Sequence, residues 1–144
     1  MAVRFFNEDI DFNLRNKRVI KTWIDYVLLF ENKSRGDISF VFSTDDYVLQ
    51  INQQYLNHDY YTDIITFNYN EGNVINGDIF ISIDTIKVNA REFSGSFQEE
   101  LYRVMIHGIL HLISYNDSTA DEIAQMRAKE DFYLDILYSK FLIN

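Results

Sequence analysis

Apolar residues recur along the chain at two spacings, which predict helices and strands. Positions three and four residues apart predict helices over residues 14–31, 44–56, 85–94, 97–113 and 118–141. Runs rich in β-branched and aromatic residues predict strands over residues 2–6, 38–42, 64–67 and 77–83. Polar stretches that contain a glycine predict loops at residues 32–37 and 68–76. The order of these elements predicts an α/β (α+β) fold, with helices packed on a small mixed sheet of about four strands.

Polar residues just before the predicted helices are typical helix caps. The candidates are Asn13, Thr44, Asp84, Ser96 and Ser118. Ser96 with Glu99 three residues later fits a capping box. Ser94-Gly95 is expected to end the helix that precedes it.

Length and composition fit one compact globular domain over residues 1–144. Hydrophobic residues make up 47% of the chain, which is ample for a core. The chain has no cysteine, so disulfides and thiolate metal sites are excluded. No stretch has the pattern of a signal peptide or of a membrane-spanning helix. We therefore expect a soluble, cytoplasmic protein with no membrane association.

The formal net charge is −9, which weighs against broad, sequence-independent binding to nucleic acid. A local basic cluster is formed by Arg15, Lys17, Arg18 and Lys21. Two interpretations of this cluster stay open, a solvated helix face and a contact for a partner.

Two histidines stand out on the helix predicted over residues 97–113. His107 and His111 are four residues apart, about one helical turn, so both imidazoles leave the same face. Asp117 follows six residues later and is a candidate third ligand. A break at Ser114 would turn the chain back toward the histidines. The spacing predicts one divalent metal ion on a central apolar helix.

Gly108 separates this pattern from zinc peptidases. In the peptidase motif HExxH a glutamate at this position is the general base, and glycine has no side chain to take a proton. A glycine inside a helix costs on the order of 1 kcal/mol against alanine. The cost has two possible reasons, space beside the metal or a close contact with another element.

Three segments together resemble the YbeY family of endoribonucleases, which act in rRNA maturation. The segment His107–Leu112, followed by Tyr115-Asn116-Asp117, resembles the family signature HGxLHLxGYDH. Gly77–Ser82 is similar to the family's GDIxIS strand, and residues 49–67 are similar to its segment ending in TDVLSF. The resemblance covers roughly residues 38–135.

The resemblance implies a metal-dependent hydrolase with one zinc ion per chain, or another divalent transition metal. By position it assigns His107, His111 and Asp117 as the metal ligands. It also implies cleavage of single-stranded RNA in 16S rRNA 3′-end maturation and ribosome quality control. The partners would be ribosomal RNA and the small ribosomal subunit or its proteins.

Two departures from the family pattern bear on activity. The usual third ligand is histidine, where this chain has Asp117. The family commonly has an arginine after the tyrosine that aligns with Tyr55, and Leu56 stands there. An anionic transition state loses stabilisation without that guanidinium.

Arg103 and His58 are the candidates for catalytic side chains. Arg103 lies one turn before His107 and can replace the missing arginine, or it can pair with Glu99 or Glu100. His58 can serve as an acid–base group or phosphate contact, or it can be a solvated loop histidine. Asp63, Glu99 or Glu100 can support a ligand histidine from behind.

The leading hypothesis is metal-assisted phosphodiester hydrolysis, in which the metal lowers the pKa of a water toward about 7. The alternative is a metal-binding ribosome-assembly factor with weak or no nuclease activity, which Leu56 and the acidic net charge favour. A metal-dependent hydrolase of another substrate is a third possibility.

Overall fold

A four-stranded mixed sheet lies at the centre of the fold in the computed structural model, which describes residues 2–93 and 95–142. The strands are β1 (Val3–Asn7), β2 (Ser34–Ser43), β3 (Ile64–Asn68) and β4 (Val74–Ser82). The helices are α1 (Lys17–Phe30), α2 (Asp45–Leu56), α3 (Ile83–Glu92), α4 (Phe97–Leu112) and α5 (Ala120–Ile136), and α5 continues as a π-helical turn over Leu137–Phe141. The predicted α/β (α+β) class is confirmed.

The strand order is β1-β2-β4-β3. β1 runs parallel to β2 and β2 runs parallel to β4, whereas β3 is antiparallel to β4. The sheet is therefore mixed and has four strands, as the sequence predicts. No helix in the described part of the chain is long and apolar enough to cross a membrane.

Helices cover both faces of the sheet. On one face α2 packs through Val48 and Ile51 against Ile65, with Phe67 and Phe80 beside them. On the other face α1, α3, α4 and α5 enclose the main core, whose fully buried members include Trp23, Phe40, Phe42, Ile79, Ile81 and Tyr133. Burial of this apolar surface is the main stabilising contribution, at about 25 cal/mol per Å².

Helix α4 is the central helix of the main core, and it carries the predicted metal motif. It begins where the Ser96 hydroxyl accepts a hydrogen bond of 3.0 Å from the backbone N–H of Glu99. A Cβ at Gly108 would lie 2.9 Å from methyl carbons of both Ile64 and Ile79. Glycine thus lets α4 approach the sheet closely, which is the second of the two interpretations.

Two predicted loops are partly strand. Residues 34–37 belong to β2 and residues 74–76 to β4, because Ser34 pairs with Val74 across the sheet. Gly36 was expected to break structure, yet it is buried in β2, where a Cβ would lie 2.1 Å from Oδ1 of Asn76. That amide oxygen accepts from the backbone N–H of Asp37 at 2.8 Å.

Several predicted helix starts are shifted. α1 begins at Lys17 with Asn16 at its N-cap, rather than after Asn13. α3 is capped by Ser82, whose hydroxyl accepts from the backbone N–H of Thr85 at 3.2 Å, rather than by Asp84. Thr119, not Ser118, caps α5 in a capping box with Glu122. Ser94 lies outside the described residues.

Candidate metal centre

Three ligand-type side chains converge at the C-terminal end of α4. His107, His111 and Asp117 each offer one ligand atom, and these atoms all lie within 4.8 Å of one another. The two Nε2 atoms are 2.9 Å apart. Oδ2 of Asp117 is 3.3 Å from Nε2 of His107 and 3.4 Å from Nε2 of His111. The structure therefore brings together all three residues that the sequence predicts as ligands.

The turn after α4 returns Asp117 to the histidines. Ser114 has a φ of 80°, the left-handed conformation that the break in the motif requires. The backbone N–H of Ser114 donates to the carbonyl of His111 at 3.0 Å, and that of Tyr115 donates to Leu110 at 3.0 Å. These bonds satisfy carbonyls that the end of the helix would otherwise leave unpaired.

Glu31 holds this turn against the rest of the fold. Its carboxylate accepts from the hydroxyl of Tyr115 at 2.7 Å and from Nζ of Lys129 at 3.2 Å. The hydroxyl of Tyr133 is a third donor to the same carboxylate. Tyr115 is two residues before Asp117, so Glu31 limits how far the third ligand can move.

Glu130 on α5 supports His107 from behind, and sequence reasoning missed it. Its Oε2 lies 2.6 Å from Nδ1 of His107, and only 6% of its side chain is exposed. Its Oε1 accepts from Nη1 of Arg103 at 2.9 Å, and Nη2 of Arg103 reaches Asp131 at 2.7 Å. The carboxylate bonded to His107 is therefore that of Glu130, while Asp63 and Glu100, two of the predicted supports, line the cavity beside His107. One signal was present: Glu130 stands at helical spacing between the buried residues Met126 and Leu134.

The two histidines differ in their electrostatic surroundings. Burial disfavours the charged form of His107, but the hydrogen bond and the charge of Glu130 outweigh burial and raise the pKa of His107. Burial, followed by the neighbouring His107, lowers the pKa of His111. A carboxylate only accepts hydrogen bonds, so Nδ1 of His107 donates to Glu130 and Nε2 faces His111 and Asp117.

A cavity of about 300 Å³ opens beside His107. Its ionisable lining comprises Asp63, Glu100, Arg103, His107, Asp117, Arg127 and Glu130. Burial raises the pKa of Asp63, and burial followed by the charge of Asp63 raises the pKa of Glu100. These carboxyl groups therefore hold protons more readily than carboxyl groups in water.

The two predicted catalytic side chains lie in different surroundings. Arg103 lines the cavity, and its salt bridges go to Glu130 and Asp131 rather than to Glu99 or Glu100. His58 does not line this cavity; it lies with Gln53, Asn57 and Asp59 at another depression. Its Nδ1 is 3.0 Å from the hydroxyl of Tyr60. A catalytic role for either residue stays a prediction.

The chemistry of the three donors fits a divalent metal ion. With Nδ1–H of His107 engaged by Glu130, Nε2 of His107 presents a lone pair toward Nε2 of His111 and Oδ2 of Asp117, and one cation can take these three atoms as ligands. Two histidines and a carboxylate form a known zinc set. At zinc–nitrogen distances of 2.0–2.1 Å, tetrahedral ligand nitrogens lie roughly 3.3 Å apart. The observed separations of 2.9, 3.3 and 3.4 Å need only small side-chain rotations to match.

Comparisons with known proteins agree with the site. A family model described as Endoribonuclease YbeY matches residues 3–138. A curated relative named Endoribonuclease YbeY, from Flavobacterium psychrophilum, is 51% identical over 136 residues, which cover 94% of this chain and 96% of the relative. The chain belongs to the YbeY endoribonuclease family. The resemblance predicted from the sequence is confirmed, and the enzyme class is that of a nuclease, a hydrolytic enzyme.

Other relatives extend the match. Endoribonuclease YbeY of Parabacteroides distasonis is 47% identical over 137 residues, covering 95% of this chain and 96% of the relative. The solution structure of TM1509 from Thermotoga maritima has a TM-score of 0.67 at 26% identity, covering 96% of this chain and 90% of that one. The likeness therefore extends over nearly the whole fold, including the helix that carries the two histidines.

Proposed function

We propose that this protein is a metal-dependent endoribonuclease that cuts single-stranded RNA in 16S rRNA 3′-end maturation and ribosome quality control. The observation that carries the proposal is the convergence of His107, His111 and Asp117 within 4.8 Å, with Glu130 fixing the ring of His107. Membership of the YbeY endoribonuclease family supports RNA as the substrate. Zinc, one ion per chain, is the metal that the donor set favours.

The residues of the site have two roles, holding the metal ion and positioning its ligands. His107 and His111 would hold the ion through Nε2, and Asp117 would hold it through Oδ2. When bound, the ion supplies Lewis-acid chemistry, acidifying a water and polarising a phosphate oxygen. Glu130 keeps His107 in the tautomer that presents Nε2, and Arg103 keeps Glu130 in place.

Raised pKa values give two nearby carboxyl groups a further role. Asp63 and Glu100 line the same cavity as His107, and burial raises the pKa of each. A carboxyl group that holds its proton can donate to a leaving oxygen, whereas an ionised one can accept from an attacking water. Either group can therefore move a proton beside the metal without a glutamate at position 108.

The place of action follows from the substrate. We propose a cytoplasmic protein whose partners are ribosomal RNA and the small ribosomal subunit or its proteins. The exposed Arg15, Lys17, Arg18 and Lys21 are the candidate contacts with such a partner.

The test combines metal analysis with RNA cleavage. Protein purified without chelator should carry about one metal ion per chain, and His111→Ala should carry almost none. Wild-type protein should cut a 16S rRNA precursor fragment in its single-stranded 3′ region, while duplex RNA stays intact. His111→Ala should lose more than about 100-fold in cleavage rate, since even an outer-shell partner of a metal site contributes 10–100-fold.

Three results would count against the proposal in different ways. Protein without metal would exclude the metal centre. Cleavage that survives both chelation and His111→Ala would come from a contaminating nuclease. Metal-loaded protein that binds small-subunit precursors and leaves RNA intact would instead favour the assembly-factor alternative.

A further inference from the structure

Two cavities meet at a pair of arginines next to the metal centre. The cavity beside His107 has a volume of about 300 Å³, and a second one, of about 530 Å³, shares Glu100, Arg103 and Arg127 with it. Phe93 and Tyr138 contribute to the lining of the second cavity. A chain longer than one nucleotide can therefore extend from the metal centre past both arginines.

The guanidinium of Arg103 is already engaged in salt bridges within the protein. Its two terminal nitrogens bind Glu130 at 2.9 Å and Asp131 at 2.7 Å, and only 25% of its side chain is exposed. Glu130 in turn holds His107. Turning Arg103 toward a ligand would therefore remove support from the metal centre.

Arg127 is placed differently. It lies on the exposed side of α5, and no salt bridge joins it to an acidic group within residues 2–93 and 95–142. Asp131, the acidic residue one turn further along α5, is taken by Arg103. Arg127 nevertheless lines both cavities, and its charge acts on Glu100. Its guanidinium is therefore free to meet a ligand at the junction of the cavities.

The cavity beside His107 is otherwise acidic. Four carboxyl groups line it, those of Asp63, Glu100, Asp117 and Glu130. Such a lining repels a polyanion. Because Arg103 is balanced by two carboxylates, the positive charge available to a phosphate comes from the ion held by the histidines and from Arg127. A guanidinium also fits a phosphate with two parallel hydrogen bonds.

We propose that Arg127 binds a phosphate of the RNA strand at the junction of the two cavities and so positions the neighbouring phosphodiester at His107 and His111. The inference rests on the proposed function, because it takes RNA as the ligand. It assigns substrate binding to Arg127 and support of the metal centre to Arg103.

The test compares Arg127→Gln and Arg127→Lys with wild-type protein on a fluorescent single-stranded RNA, measuring KM and kcat at several salt concentrations. Arg127→Gln should raise KM about tenfold, the scale of one charge-assisted hydrogen bond. The dependence of log KM on log salt should become less steep by about 0.7, the value for one phosphate contact on a single strand. Arg127→Lys should recover part of the loss. Metal content and thermal stability should stay at wild-type values.

Arg91→Gln is the matched control, because it removes the same charge from an exposed helical arginine that lines neither cavity. Its KM should equal that of wild type. An unchanged KM in Arg127→Gln, an equal rise in Arg91→Gln, or loss of metal from Arg127→Gln would each overturn the assignment of Arg127 and leave the proposed function untouched. Metal-loaded wild-type protein that leaves the RNA intact would overturn the proposed function, and this inference with it.

Discussion

His107 of the metal centre and His58 of the connection between α2 and β3, residues 57–63, lie in opposite kinds of surroundings. The ring of His107 is hydrogen-bonded to Glu130. Glu130 forms a salt bridge with Arg103, and Arg103 forms a second one with Asp131. His58 is exposed, and the contact recorded for its side chain is with Tyr60, by a hydrogen bond and by ring stacking at 5.1 Å.

The difference shows what turns a histidine into a ligand. A ring that must keep one nitrogen aimed at a metal needs a partner on the other nitrogen, and that partner must itself be held. Helix α4 supplies this because it is buried between the sheet and α5, so a side chain from α5 can reach behind it. The connection lies at the surface, where a histidine is solvated from several sides.

Of the substitutions considered, removing the carboxylate that holds His107 should have the largest effect. Glu130→Gln keeps the shape of the side chain but loses the charge that holds Nδ1–H of His107 and the guanidinium of Arg103. We expect metal affinity to fall by about 10–100-fold, with cleavage falling in step at limiting metal. Competition with a chromogenic chelator measures the affinity.

Asp131→Asn is the matched control. It neutralises Asp131, the other carboxylate bound to Arg103, whose side chain is 58% exposed. The contact between Glu130 and His107 stays in place. Metal affinity should change by less than about threefold, as expected for an exposed ion pair. An equal loss in both variants would mean that the net charge near the cavity, and not support of His107, sets the affinity.

The next largest effect is expected on stability, where α4 packs closely against β3, the strand that follows residues 57–63. Gly108→Ala places a methyl group 2.9 Å from side-chain carbons of Ile64 on β3 and Ile79 on β4. Overpacking costs about 1–3 kcal/mol, and alanine returns roughly 1 kcal/mol of helix propensity. We expect a net loss of up to about 2 kcal/mol in the free energy of unfolding, measured by urea denaturation.

Gly95→Ala is the control for that substitution, since nothing lies within 4 Å of a Cβ at position 95. Its stability should stay within about 0.5 kcal/mol of wild type. If Gly108→Ala proves more stable than wild type, glycine at this position serves access to the metal rather than close packing.

The parts of the fold that sequence predicts well are those fixed by local patterns. The element order and the capping roles of Thr44 and Ser96 follow from side chains close in sequence. The metal trio is also local, because His107, His111 and Asp117 lie within one helix end and its turn.

The parts that sequence does not predict depend on partners far along the chain. Glu130 is 23 residues from His107, and no spacing rule connects them across the turn between two helices. Residues 34–37 are polar, and they form strand because β4 lies alongside with Asn76 to bind the backbone of Asp37. On α5 the apolar side chains of Ile123 and Phe132 are 52% and 45% exposed, whereas Tyr133 and Leu134 are buried.

The smallest effect is expected at His58. His58→Ala removes the ring that contacts Tyr60 at the surface, outside the cavity that His107 lines. Cleavage should stay within about threefold of wild type and stability within about 0.5 kcal/mol, the usual range for surface substitutions. Steady-state cleavage of the single-stranded RNA across pH 5–9 is the measurement, because loss of an acid–base group would also remove one limb of the pH profile. A 100-fold lower cleavage rate, together with loss of one limb of the pH profile, would make His58 a catalytic residue. It would also mean that residues 57–63 fold over the metal centre when RNA binds.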